Sequence, residues 1–152
     1  MLKVTPFLMY NDQLEAAVKF YTSIFKNSKV VALTRAGEGG PVISAEFTLE
    51  GQHVMAYNGG PHFKFSEGFS LFVSCDTQAE VDELWEKLST GGEKSQCGWL
   101  TDPFGVSWQI VPNALMQLMG DKDPKKAQAV VQAMLKMTKL DIAGLRQAYE
   151  RA

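Results

Sequence analysis

Apolar residues recur at helical spacing in two stretches of the chain. From Asp12 to Phe25 the residues Ala17, Phe20, Tyr21 and Ile24 share one face, and Asp12 and Glu15 stand at capping-box spacing. From Thr77 to Ser89 the residues Val81, Leu84, Trp85 and Leu88 do the same, with Thr77 and Glu80 at the cap. Phe20 and Leu84, Tyr21 and Trp85, and Ile24 and Leu88 are each 64 positions apart, so the two helices repeat one pattern. An extended apolar run precedes each helix, Phe7 to Tyr10 in the first case and Phe69 to Cys75 in the second. Strand-like runs follow. In the first half they are Val30 to Thr34, Val42 to Leu49 and His53 to Tyr57, separated by Gly37-Glu38-Gly39-Gly40 and Glu50-Gly51. In the second half Lys94 to Leu100 and Ser107 to Val111 flank Asp102-Pro103-Phe104-Gly105, whose proline and glycine suit a tight turn. Gly51 and Gly105 correspond, 54 positions apart. The pattern predicts an α+β chain made by internal duplication: a strand, a helix and several strands, twice.

Beyond Pro112 the periodicity is helical throughout. Asp123 caps and Pro124 opens a helix with Ala127, Val130, Val131, Met134 and Leu135 on one face, and Asp141 starts a shorter one carrying Ile142, Leu145 and Tyr149. Met116, Met119, Met134 and Met137 concentrate here, as adaptable packing against the main domain or a second subunit requires. The expected organisation is residues 1–120 as a paired domain, with modules at about 1–62 and 63–112, and residues 121–152 as a helical extension.

Composition narrows the function classes. At 152 residues and 45% hydrophobic content there is one domain's worth of core. A formal net charge of -2 argues against nucleic acid as a partner. The apolar runs are too short for a membrane span, and Met1 to Tyr10 lacks the pattern of a secretory signal. Cys75 and Cys97 are too few and too widely spaced for a disulfide scaffold or a Cys-x-x-Cys motif, so a cytoplasmic location is expected.

The run Tyr57-Asn58-Gly59-Gly60-Pro61-His62-Phe63-Lys64-Phe65, then Gln96-Cys97-Gly98-Trp99-Leu100, then Asp102-Pro103-Phe104-Gly105-Val106-Ser107-Trp108-Gln109-Ile110-Val111-Pro112 resembles the PhnB-like family. That family is also described as 3-demethylubiquinone-9 3-methyltransferase-like and belongs to the vicinal oxygen chelate superfamily, with glyoxalase I and the bleomycin-resistance proteins. The resemblance implies two βαβββ modules forming a curved, cup-like mixed sheet, the glyoxalase/bleomycin-resistance fold, with a C-terminal helical tail and a homodimeric assembly. A methyltransferase of the usual kind needs a glycine-rich turn at a helix start to approach its nucleoside cofactor. Gly37, Gly39 and Gly40 do not supply one, because Val42 stands at the last glycine position of a GxGxxG and strand-like sequence follows.

Superfamily enzymes hold a divalent metal with side chains from the first and last strands of each module. Counting from the helix starts and turn glycines places those positions at Thr5, Met55, Ser70 and Gln109. Three are poor ligands for a hard cation and Gln109 brings no charge. His53, two residues from Met55, is the one rescue on the same strand face. No metal and no other cofactor is therefore expected.

The period of two puts Ser107 and Val111 beside Gln109, and His53 and Tyr57 beside Met55, on one lining. Such a surface suits a small organic molecule, with Asn58, His62, Phe63, Phe65 and Trp99 as further candidate contacts. The loop from Asn58 to Phe65 reads equally as a lid or a plug. Cys97 and His62 are weak candidates for a thiolate and its base. Three functions stay open: a metal-free small-molecule-binding homodimer, an enzyme of glyoxalase or dioxygenase type with or without a divalent metal, and an interaction module acting through the helical tail.

Overall fold

The computed structural model describes residues 2–152. Two compact units divide the chain, one ending at Phe65 and one spanning Ser66–Ala152. The first carries β1 (Phe7–Tyr10), α1 (Leu14–Ile24), β2 (Ser28–Arg35), β3 (Val42–Leu49) and β4 (Gln52–Asn58). Its sheet runs β1-β4-β3-β2, with β1 parallel to β4 and the other pairs antiparallel. The second unit repeats this with β5 (Ser70–Cys75), α2 (Gln78–Ser89), β6 (Glu93–Lys94), β7 (Trp99–Thr101) and β8 (Ser107–Pro112) in the order β5-β8-β7-β6. The duplication legible in the sequence is thus a duplication of topology.

In each unit the helix covers one sheet face. Leu14, Ala17, Val18 and Tyr21 of α1 are buried with Leu8, Tyr10, Ala45, Phe47, Val54 and Ala56. Val81, Leu84, Trp85 and Leu88 of α2 are buried with Cys75, Leu100, Trp108 and Ile110. Because strand side chains alternate, the complementary positions face away from the helix. On that face lie Ser44, Glu46, Thr48, His53, Met55 and Tyr57 in the first unit, and Ser70, Phe72, Trp99, Thr101, Ser107 and Gln109 in the second.

Three local expectations need correction. The Thr77 cap forms, its hydroxyl accepting from Glu80 N at 3.2 Å while Glu80 reaches back to Asp76 N at 3.1 Å. The Asp12–Glu15 box does not. Gln13 is the cap residue and its side chain makes no cap bond, whereas the amide of Leu14 is met by Asn58 Oδ1 from β4 at 3.1 Å. Glu15 instead pairs with Arg35 at 2.6 Å, which holds its carboxyl below the usual range. The run Lys94 to Leu100 is not one strand. Cys97 and Gly98, at φ 59° and 83°, form a turn closed by Trp99 N donating to Gln96 O at 3.0 Å, and the chain doubles back as β6 and β7. Finally, Phe20 and Ile24 are only half-buried, since the stripe of α1 is centred one position earlier, on Leu14, Val18 and Tyr21.

The tail forms α3 (Asn113–Met119), α4 (Pro124–Leu135) and α5 (Ile142–Arg151), with Asp123 and Asp141 capping as expected and α3 additional. Its apolar stripe closes on the second unit through Val111, Leu115, Val130, Leu140 and Leu145. Gln78 of α2 fastens it further, donating to Leu140 O at 3.0 Å and accepting from Ile142 N at 2.7 Å. Among the described residues no helix is long and apolar enough to cross a membrane.

Candidate functional site

The helix-free face of the second sheet holds a cleft of about 510 Å³, lined by Glu67, Glu93, Ser95, Gln96, Cys97, Trp99, Leu100, Thr101 and Ser107. The strand ladder builds it. Trp99 stands opposite Gln109 and Thr101 opposite Ser107, so indole and hydroxyls project on one side. Gln109 Nε2 donates to Ser70 Oγ at 3.0 Å, joining β8 to β5 on the same face. The Gln96–Trp99 turn forms one wall and is anchored from behind, with Cys97 N and Gly98 N each donating at 2.8 Å to Met137 O and Thr138 O of the tail. The tail thereby fixes the rim of the cleft.

Asp102 sets the opposite turn. It is 2% exposed, and its Oδ1 accepts from Phe104 N at 2.8 Å and Val106 N at 3.0 Å while Oδ2 accepts from Trp108 Nε1 at 2.9 Å. The Asp-Pro-Phe-Gly motif is therefore an acceptor cage that fixes the entry to β8. Its role is to position Ser107 and Gln109, with Trp108 in the core.

In the first unit His53, Met55 and Tyr57 share the helix-free face of β4, as the period of two predicts. Glu46 on β3 joins them, its Oε1 3.4 Å from His53 Nδ1, a buried nitrogen with no hydrogen-bond partner. Sequence reasoning missed Glu46 because it counted ligands only on the first and last strands of each module. Alternation along β3 from Ser44 would have found it.

Other candidates are engaged structurally. The Asn58 amide accepts from Leu14 N and donates to Val42 O at 3.0 Å, which holds α1 and β3 in place. Phe65 meets Tyr10 edge to face at 5.1 Å. Phe63 and Met9 close over Gly59, where an added Cβ would sit 3.0 Å from the Phe63 ring. His62 is exposed in the turn after β4, in the first unit, and Cys97 belongs to the second.

The cysteines differ in kind. Burial, with Glu80 and Asp76 nearby, pushes the Cys75 thiol up to about 12. At pH 8 such a thiol is ionised in about one molecule in 10⁴. A maleimide should add one label to the native protein, at Cys97, with Cys75 reacting only on denaturation. Peptide mapping that finds Cys75 modified first would contradict this.

The four positions expected from the sequence to correspond to the superfamily's metal ligands offer poor donors for a divalent ion. The Thr5 hydroxyl donates to Leu2 O at 3.3 Å, Met55 offers a thioether, and Ser70 and Gln109 are bonded to each other. None carries charge, whereas a hard cation calls for carboxylate or imidazole donors. Among the described residues no group of three or more His, Cys, Asp or Glu is gathered.

Paired βαβββ units of this order define the glyoxalase/bleomycin-resistance/dioxygenase fold of the vicinal oxygen chelate superfamily. A fosfomycin resistance protein from Listeria monocytogenes, solved with Mn(II) and sulfate, shares it at 16% identity and TM-score 0.51, covering 71% of this chain and 90% of that one. A protein from Pseudomonas aeruginosa shares it at 21% identity and TM-score 0.63, over 74% of this chain and 98% of that one. The chain belongs to the 3-demethylubiquinone-9 3-methyltransferase family, the PhnB-like group, whose model matches residues 2–111. It is 37% identical to the PhnB protein from Bacillus cereus, at TM-score 0.68, over 73% of this chain and 99% of that one. No curated protein matches it. The methyltransferase in the family's name finds no nucleoside loop at Gly37–Gly40, which is the β2–β3 turn, closed by Ala36 N donating to Pro41 O at 2.9 Å.

Proposed function

We propose that this chain binds a small organic molecule on the helix-free face of its sheets, without a divalent metal, as a cytoplasmic homodimer. The observation that carries the reading is the cleft of the second unit. Ser107 is 5% exposed and lines that cleft, its hydroxyl reaching the open space without a hydrogen-bond partner among the described residues, and the half-buried Trp99 lines the same cleft. A hydroxyl open to a cleft that also presents an indole is what a ligand with one polar group and a flat apolar body would engage. Reading residues 1–120 as the binding domain and 121–152 as its brace accords with the tail's hold on the Cys97–Gly98 turn. Edge strand β2, with Val30 43%, Val31 46% and Leu33 40% exposed, supports dimer formation, since an apolar edge invites pairing. The free thiols suit a reducing compartment.

Two measurements test the reading. Elemental analysis of purified protein should find zinc, nickel, manganese and iron well below one ion per chain. Indole ¹⁵N spectra against a fragment collection should move Trp99 while Trp85 and Trp108, both 2% exposed, stay in place. Stoichiometric metal, or a Trp99 resonance that no fragment shifts, overturns it. A second reading, a metal-free enzyme, draws on the His53–Glu46 pair: a carboxylate next to an imidazole is a general-base arrangement. It requires that His53→Gln abolish a turnover which Ser107→Ala leaves standing.

A further inference from the structure

Resting on the reading of this cleft as a ligand site, we infer that it selects an organic monocation, an amine or quaternary ammonium joined to a flat apolar group. The lining holds two carboxylates, Glu67 and Glu93, and no lysine, arginine or histidine. Neither carboxylate is in an ion pair with a described residue. Glu93 pairs with Thr101 across the β6–β7 ladder, which puts its side chain on the cleft side of the sheet, and the neighbouring Lys94 is held by Glu86 at 2.8 Å. Trp99 adds an indole face, the strongest aromatic partner for a cation. The Ser107 hydroxyl, on the cleft lining and without a hydrogen-bond partner among the described residues, can accept the N–H of a protonated amine. An anionic ligand would meet two like charges here and no donor stronger than a hydroxyl or an amide.

Both carboxylates are exposed, so solvent screens them and the selectivity is moderate. Protonated phenethylamine, phenethyl alcohol and phenylacetate share a ring and differ in charge, and they serve as probes, read by Trp99 indole shifts on the full chain. The amine should bind about fivefold more tightly than the alcohol at low ionic strength, with phenylacetate weakest. The preference should shrink as salt is raised and fall to about onefold in Glu67→Gln/Glu93→Gln, with affinity for the alcohol unchanged. Equal binding of amine and alcohol, or a preference that survives the double substitution, overturns the charge selection and leaves the ligand site intact. Failure of all three probes to move Trp99 overturns the site itself.

Discussion

Replacing Asp102 with alanine should destabilise the protein by about 3–5 kcal/mol, because two backbone amides and one indole N–H lose a shared acceptor in a site that is 2% exposed. The amide of Val106 and Trp108 Nε1 are themselves buried, so water cannot replace the carboxylate without opening the turn. Asp102→Asn keeps one acceptor oxygen and turns the other into a donor facing a donor, and about 2 kcal/mol should be lost. Urea unfolding followed by tryptophan fluorescence measures both, with Trp108 reporting directly on the site. A loss below about 1 kcal/mol in the alanine variant would mean the carboxylate does not hold this turn. In the same variant Ser107 and Gln109 should lose their alignment with β7, so fragment-induced shifts of Trp99 should weaken as well.

Gly98→Ala should cost about 2–4 kcal/mol. The residue sits at φ 83°, and a Cβ there would lie 2.9 Å from Ile110 O and 2.9 Å from Leu140 Cδ1. Left-handed alanine alone costs about 1–2 kcal/mol, and the contact with a strand carbonyl adds to it because the carbonyl cannot move aside. The damage should spread to the tail, whose Thr138 O accepts from Gly98 N, and appear as faster hydrogen exchange in α4 and α5. Cys97→Gly makes the control. At φ 59° the relief of left-handed strain is about 1 kcal/mol, offset by added freedom in the unfolded chain, so stability should barely change. If Gly98→Ala is as mild as Cys97→Gly, the close approach of turn, β8 and tail is wrong.

The fold was legible where the signal is local. Periodicity located both covered helices, alternation located the long strands, and Thr77 with Glu80 announced a cap that forms as its spacing dictates. Asp12 and Glu15 show the same spacing and no cap, because Asn58, 44 residues away, reaches the amide first and Arg35 takes the carboxylate. Local spacing permits a cap; competition with distant partners decides whether it forms. The Lys94–Leu100 run misled for a related reason. Its alternation is compatible with one strand, but the two left-handed residues at its centre are held by carbonyls of the tail, which no window of that length contains.

The site divides along the same line. His53, Met55, Tyr57, Ser107 and Gln109 were placed on helix-free faces by the period of two, a property of the backbone that neighbours cannot change. Asn58 and Phe65 were legible only as candidates, and tertiary contacts with α1, β3 and Tyr10 engage them elsewhere. Glu46 was within reach of alternation along β3 but was not counted, and Glu67 became visible only once strands and turns were set side by side. The sequence by itself determined a duplicated α+β chain, its family and the faces its strands turn outward, since these follow from periodicity and motif. Only the tertiary structure decided which side chains meet on those faces and which carboxylates are left without a counter-charge, since each depends on distances between residues far apart along the chain.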